Sequence, residues 1–215
     1  MRGDIIIIDE HHRSAAGVIV DHLLPTISSR DGRYTLTVAG ESGIVKSETA
    51  QAIAEAFGAH GLNAFVLQQD DYFVHPPRTN HKTRLQDIEW VGINEVHLDL
   101  LDNHLAAARS GHEAVEKPLV IYDDDTITTE VASFIGVDVV IAEGTYTTLL
   151  DHVDTRIFIA RNRLETMAAR ERRGREAMDP FIERVLEIEH QIISPHVSRA
   201  DIVISNDYEV TIVGE

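Results

Sequence analysis

"TVAGESGIVKSETA", residues 37–50, decides how the rest of the chain is read. Gly40, Lys46 and Ser47 stand at the spacing of the phosphate-binding pattern GxxxxGK[ST], in which a strand feeds a glycine-rich turn that opens a helix. In such a turn the backbone N–H groups and the helix N-terminus point at an anion. "YTLTVA" (34–39) supplies the strand and "KSETAQAIAEAFGAH" (46–60) the helix. Val45 departs from the pattern, because it occupies the place of the second glycine. Its branched Cβ sits where the backbone should approach a phosphate closely, and β-branching resists unusual dihedrals. Losing one charge-assisted amide contact there costs roughly 1.5–3 kcal/mol, about tenfold to a hundredfold in affinity. Gly43 keeps part of the turn's freedom. The competing reading is an ordinary glycine-containing turn between a strand and a helix.

Working outward, four more runs rich in β-branched residues repeat the strand signal: "NAFVLQ" (63–68), "VDVVIA" (137–142), "TRIFIA" (155–160) and "ADIVIS" (200–205). Their nearly continuous apolar character marks strands covered on both faces, as in parallel sheets. "NEVHLDLLDNHLAAARSG" and "PFIERVLEIEHQII" carry helical three-and-four spacing. In the second, Phe181, Val185, Ile188 and Ile192 form a stripe, with Asp179 as N-cap and Pro180 at the first helical position. Alternating strands and helices imply a doubly wound α/β domain. With 215 residues the chain has room for one such core, so residues 1–215 are expected to form a single domain. Residues 1–33 precede it as an extension that reads as a strand followed by a helix, and "SSRDGR" is a turn.

Composition excludes several functions. The 19 Lys and Arg against 36 Asp and Glu give a net charge of −17, which repels nucleic acid and anionic lipid. With no cysteine there is no disulfide framework, thiol nucleophile or Cys-based zinc site. The run "DIIIID" (4–9) is too short to span a membrane and lacks the flanks of a signal peptide, so a cytoplasmic protein is expected.

Three further stretches carry chemistry. "VLQQDDYF" (66–73) delivers paired carboxylates to the C-terminal edge of the sheet, where Asp70 can take the proton of an attacking hydroxyl; its bland alternative is a turn or helix cap. In "VDVVIAEGTY" (137–146), Glu143 ends a buried strand and is a candidate for the Mg²⁺ shell together with the Ser47 hydroxyl, or else a cap for the following helix. "ARNRLETMAARERRGRE" gathers Arg161, Arg163, Arg170, Arg172, Arg173 and Arg175 against three glutamates, Glu165, Glu171 and Glu176. Such runs are usually solvated helix faces, but forked guanidinium groups suit phosphates, and a mobile lid over about residues 161–180 is expected. The twelve histidines show no compact metal spacing, and Asp123–Asp125 read as a solvated turn.

Taken together, "AGESGIVKSE", "QQDDYF", "LLDNHLAAARSGHEAVEKPLVIYD", "VVIAEGTY" and "IISPHVSRADIVISND" resemble, in order, the uridine kinase and phosphoribulokinase family of P-loop kinases. The resemblance runs from about residue 34 to 207. It implies a three-layer P-loop NTPase fold with a five-stranded parallel sheet and a helical lid, ATP with Mg²⁺ as donor, and a small-molecule hydroxyl as acceptor. By motif position it implies a nucleotide cradle of Gly40, Glu41, Ser42, Gly43, Ile44, Val45, Lys46, Ser47 and Glu48. It also makes Asp70 the catalytic aspartate, Glu143 and Ser47 the Mg²⁺-associated pair, Arg170 and Arg175 lid contacts to nucleotide, and Lys46 and Arg173 stabilisers of the transferring phosphoryl group. Related kinases form dimers or tetramers, so a homo-oligomer is implied as well. The chain departs from uridine kinases at "EWVGINE" (89–95), where these tend to read DHP, and at Ile127 and Thr129, where they carry His and Arg. Isoleucine cannot hydrogen-bond a pyrimidine edge, which argues against uridine as acceptor. With Val45, these departures leave a second reading: a catalytically silent ligand-binding or regulatory protein on the same fold.

Overall fold

A computed structural model of the chain describes residues 6–43, 45–160 and 179–214. Ile44 and the arginine-rich stretch lie outside the described residues, and so do the roles expected of Arg170, Arg173 and Arg175 and nearly all of the expected lid.

The central sheet is built from β1 (Tyr34–Gly40), β2 (Ala64–Gln68), β5 (Val139–Gly144), β6 (Thr155–Ile159), β7 (Ile202–Ile204) and β8 (Val210–Ile212), in the order β2-β5-β1-β6-β7-β8. The first five are mutually parallel and match the five strand signals. The sixth was not foreseen: β8 runs antiparallel to β7 and makes the sheet six-stranded. It spans three residues and turns back through Tyr208 at φ 63°, too short a run for periodicity to register. A second, two-stranded sheet, β3 (Ala114–Ile121) with β4 (Thr126–Ser133), stands apart as an antiparallel hairpin. Most of β4 is exposed, so neither of its faces carries a clean apolar stripe.

Helices cover both faces of the sheet. α1 (Glu10–Ser28) and α2 (Lys46–Ala59) bury Ile19, Val20, Ile53 and Phe57 against Leu36, Val38, Ile141 and Ile157. On the other face α4 (Leu98–Arg109) buries Leu101, Leu105 and Ala108 beside Val140 and Ala142. α5 (Pro180–Ile193) sets Ile193 against Ala39 and Phe158. The result is the expected three layers. Residues 6–9 form no strand, and the extension packs as α1 alone among the described residues. α5 starts as read, with Asp179 accepting the Phe181 N–H at 2.9 Å and Pro180 in first place. Its buried side is rotated from the expected stripe, to Val185, Leu186, Glu189 and Ile193. α3 (Pro77–Gln86) is mostly polar and was not signalled by hydropathy; Asp125 in the hairpin turn caps it, accepting from the Arg78 N–H at 2.7 Å and the Thr79 hydroxyl at 2.8 Å. No described helix is long and apolar enough to cross a membrane.

Candidate active site

The strand-turn-helix order expected around Gly40 is present, with β1 leading into α2. The unusual backbone falls on the glycines: Gly43 has φ 80°, a left-handed conformation that L side chains rarely adopt. Val45 has φ −77° and ψ 47° and is 6% exposed. Valine is therefore spared a positive φ, which falls at Gly43 instead, although its ψ lies outside the helical and extended ranges. Within the turn, Lys46 Nζ donates to the Glu41 carbonyl at 3.0 Å, and the Val45 carbonyl accepts from the Thr49 hydroxyl at 2.8 Å. Glu41 itself is buried: its Oε1 lies 2.7 Å from His190 Nδ1, while Oε2 has no hydrogen-bond partner among the described residues. Glu48 is half-buried in the first turn of α2.

Parallel pairing brings Glu143, on β5, level with Val38 of β1 and Gln68 of β2, at the end of the sheet where the turn lies. Ser47 Oγ donates to Glu143 Oε1 at 2.9 Å, so two of the expected residues meet directly. Glu143 caps no helix; the following 3₁₀ turn, Thr147–Leu149, starts after Tyr146. At Gly144 a Cβ would lie 2.2 Å from Gln69 Cβ, so glycine lets the segment after β2 close onto the end of β5. Gln69 Oε1 then accepts the Tyr146 N–H at 2.7 Å. Burial, reinforced by the Asp70 charge and opposed by Lys46 and Ser47, pushes the Glu143 carboxyl up to about 7 from 4.5. Between those values the folded chain holds a proton that the unfolded chain has released, so stability falls as pH rises from 4.5 to about 7. Glu143→Gln is expected to lessen that slope and to stabilise the protein above pH 7, on the order of 1–3 kcal/mol. Melting temperatures taken from pH 5 to 8 check this, and parallel profiles for the two proteins would refute it.

The paired carboxylates after β2 have separate environments. Asp70 lies on the 3₁₀ turn Gln69–Tyr72 and is exposed at a cavity wall that also includes Ser42 and Gly43. Asp71 is buried, with Oδ2 2.7 Å from Lys117 Nζ of β3 and Oδ1 accepting the Val120 N–H at 3.0 Å. Lys117 is 4% exposed and also meets Glu130 at 2.9 Å. This ion pair fastens the hairpin to the turn that carries Asp70.

The cavity beside Asp70 has a volume of about 360 Å³. A polar group that the sequence reading missed forms part of its wall. Arg84 of α3 makes a two-pronged contact with Glu95, through Nε and through Nη2 at 2.7 Å, and Nη2 reaches Glu189 of α5 at 3.2 Å. Glu95 is fully buried and also accepts from Asn80 at 3.1 Å and from the Gly92 N–H at 3.1 Å. Burial raises Glu189 above the usual carboxylate range, against the lowering effect of Arg84. One sequence signal was available: Glu189 is a charged residue among the apolar positions Val185, Leu186 and Ile193 of α5. Ile127 and Thr129 do not line this cavity. Away from it, donor atoms of Asp9, His11 and His12 lie within 4.8 Å of one another, and the His11 and Tyr208 rings have centroids 3.9 Å apart with planes tilted by 45°.

Comparison with known proteins finds relatives of the chain by sequence and by fold. A bifunctional alpha-galactosidase/sucrose kinase of Mediterraneibacter gnavus is 27% identical over 194 residues, 84% of this chain and 21% of that much longer protein. A uridine kinase of Listeria welshimeri is 28% identical over 184 residues, 78% of this chain and 84% of its own length. The D-glycerate 3-kinase structure from Cryptococcus neoformans shares the fold, with a TM-score of 0.62 at 16% identity, over 96% of this chain and 98% of that one. Residues 35–212 match the model of the Phosphoribulokinase / Uridine kinase family, and the chain belongs to that family.

Proposed function

We propose that the protein is an ATP-dependent phosphotransferase that phosphorylates a hydroxyl group of a small molecule. One observation carries this reading: the Lys46–Ser47 pair, Asp70 and Glu143, from three separate segments, converge at one end of the sheet, beside a cavity of small-molecule size. The relatives point the same way, since sucrose kinase and uridine kinase are names for enzymes that phosphorylate hydroxyl compounds. In this reading the turn of residues 40–48 cradles the phosphates and Lys46 leaves the Glu41 carbonyl for them. Asp70 accepts the proton of the acceptor hydroxyl as its oxygen bonds to the γ-phosphorus and the bond to the ADP oxygen breaks. Arg173 and its neighbours would add charge stabilisation from the lid. Ser47 and Glu143 would hold Mg²⁺, for which a hydroxyl and a carboxylate are suitable hard oxygen donors. Bound there, the ion would neutralise charge on the transferring phosphoryl group.

A second reading, a silent ligand-binding protein, rests on Val45. Titration with a fluorescent ATP analogue, with and without Mg²⁺, separates the two. The unmodified chain is expected to bind saturably and more tightly with Mg²⁺, and Val45→Gly to tighten binding by no more than about a hundredfold, the value of one amide contact. Binding that appears only after glycine is restored would favour the silent protein.

A further inference from the structure

Two residues that line the cavity each carry a buried polar atom with no hydrogen-bond partner among the described residues: Glu189 Oε2 and the Tyr146 hydroxyl. Both residues are buried, at 5% and 2% exposure. Buried polar atoms are rarely left unpaired in folded proteins, because desolvation without a partner is costly. Two such residues lining one cavity are therefore a strong sign of a ligand that completes them. The surroundings say what kind. Arg84 is shared between two carboxylates, Glu95 and Glu189, and Asp70 is a second acid on the wall beside Glu189. Among the described residues, the guanidinium on this wall is already bonded to two carboxylates, and the other basic side chains there are the imidazoles of His75 and His81. The amide side chains are engaged as well. Asn80 donates to Glu95 and accepts from Trp90 Nε1 at 2.9 Å, and Gln69 Oε1 accepts from the Tyr146 backbone. The amide oxygens that would accept from a nucleobase edge are thus already bonded, whereas a carboxylate oxygen and a phenol are well suited to hydroxyl groups. Phe73 and Tyr122 add aromatic surface for the C–H face of a sugar ring.

We infer that the phosphate acceptor is an uncharged polyhydroxylated molecule, a free sugar or sugar alcohol, held by Glu189 and Tyr146, in place of a nucleoside or an acceptor that already carries a negative charge. This inference rests on the phosphotransferase reading for the acceptor's fate, but not for the binding of the polyol itself. The cavity volume, near the lower end of the range of about 300–1,000 Å³ for ligand pockets, suits a ligand of that size.

The experiment has two arms. In the first, ADP release from Mg·ATP is measured with D-fructose, sucrose and sorbitol, and separately with uridine, D-glycerate and ribulose 5-phosphate. At least one neutral sugar or polyol is expected to exceed uridine and both anions by tenfold or more in kcat/KM. With that acceptor, Glu189→Gln and Tyr146→Phe are each expected to raise its KM about tenfold and to leave the KM for ATP within about twofold, the size of one lost hydrogen bond. Tyr146→Phe removes an unpaired buried oxygen, so its melting temperature is expected to hold or rise, which separates a ligand contact from a folding defect. Preference for uridine or an anion, or an unchanged acceptor KM in both variants, would overturn the assignment. The second arm measures binding of the same neutral compounds, without nucleotide, by calorimetry on the unmodified chain and on Tyr146→Phe. If nothing is phosphorylated yet a neutral polyol binds and Tyr146→Phe weakens it, the phosphotransferase reading fails and this one stands. If no neutral polyol binds and none is phosphorylated, this inference fails.

Discussion

Asp70→Asn is expected to lower kcat by about 10²–10⁴-fold, the range supplied by a positioned general base, while the affinity for Mg·ATP changes less than about twofold. Asparagine keeps the size and polarity of the side chain but cannot take up the hydroxyl proton. Affinity is expected to survive because Lys46 and Ser47, which face the phosphates in the proposed reading, are held by the Glu41 carbonyl and by Glu143 in the resting chain. A second readout follows from electrostatics. The Asp70 charge is one cause of the raised Glu143 carboxyl, so Asp70→Asn should let Glu143 ionise at lower pH. Single-turnover rates with a saturating acceptor test the first effect, and turnover within twofold of the unmodified chain would remove Asp70 from the chemistry.

The second large effect concerns stability. Lys117→Met is expected to destabilise the fold by about 3–5 kcal/mol, because it leaves the buried carboxylate of Asp71 without its counter-charge. For a domain of this size that corresponds to a fall in Tm of roughly 6–20 °C. Replacing both partners, Lys117→Met with Asp71→Leu, should recover much of the loss, since an apolar pair avoids the desolvation penalty of both ions. Denaturant melts of the three proteins decide this; a loss below about 1 kcal/mol in the single variant would show that the pair is already hydrated. The ion pair links β3 to the turn bearing Asp70, so the single variant should also slow turnover.

The parallel core was legible because its strands are covered on both faces and so carry continuous apolar runs, as in "VDVVIA" and "YTLTVA". The hairpin and α3 left no such trace. They are held by polar contacts between distant residues, such as Asp125 with Thr79 and Lys117 with Asp71, and hydropathy does not record these. The site divides in the same way. Residues next to a glycine-rich turn or at a strand end, Lys46, Ser47, Asp70 and Glu143, announce themselves by local pattern. Arg84, Glu95, Glu189 and Tyr146 come from four different segments, and their meaning lies in which atoms remain unpaired once the chain has folded. The sequence does not say which residue of a turn takes the positive φ; the structure puts it at Gly43 and leaves Val45 with a negative one.

The resting turn is already occupied by its own bonds: the lysine ammonium holds the Glu41 carbonyl, and the serine hydroxyl holds Glu143. Any incoming phosphate must take these partners by exchange, so each contact contributes the difference between two hydrogen bonds and not a whole one. On the phosphotransferase reading, departing product would leave behind groups that can close on each other again, and this exchange would weaken its retention.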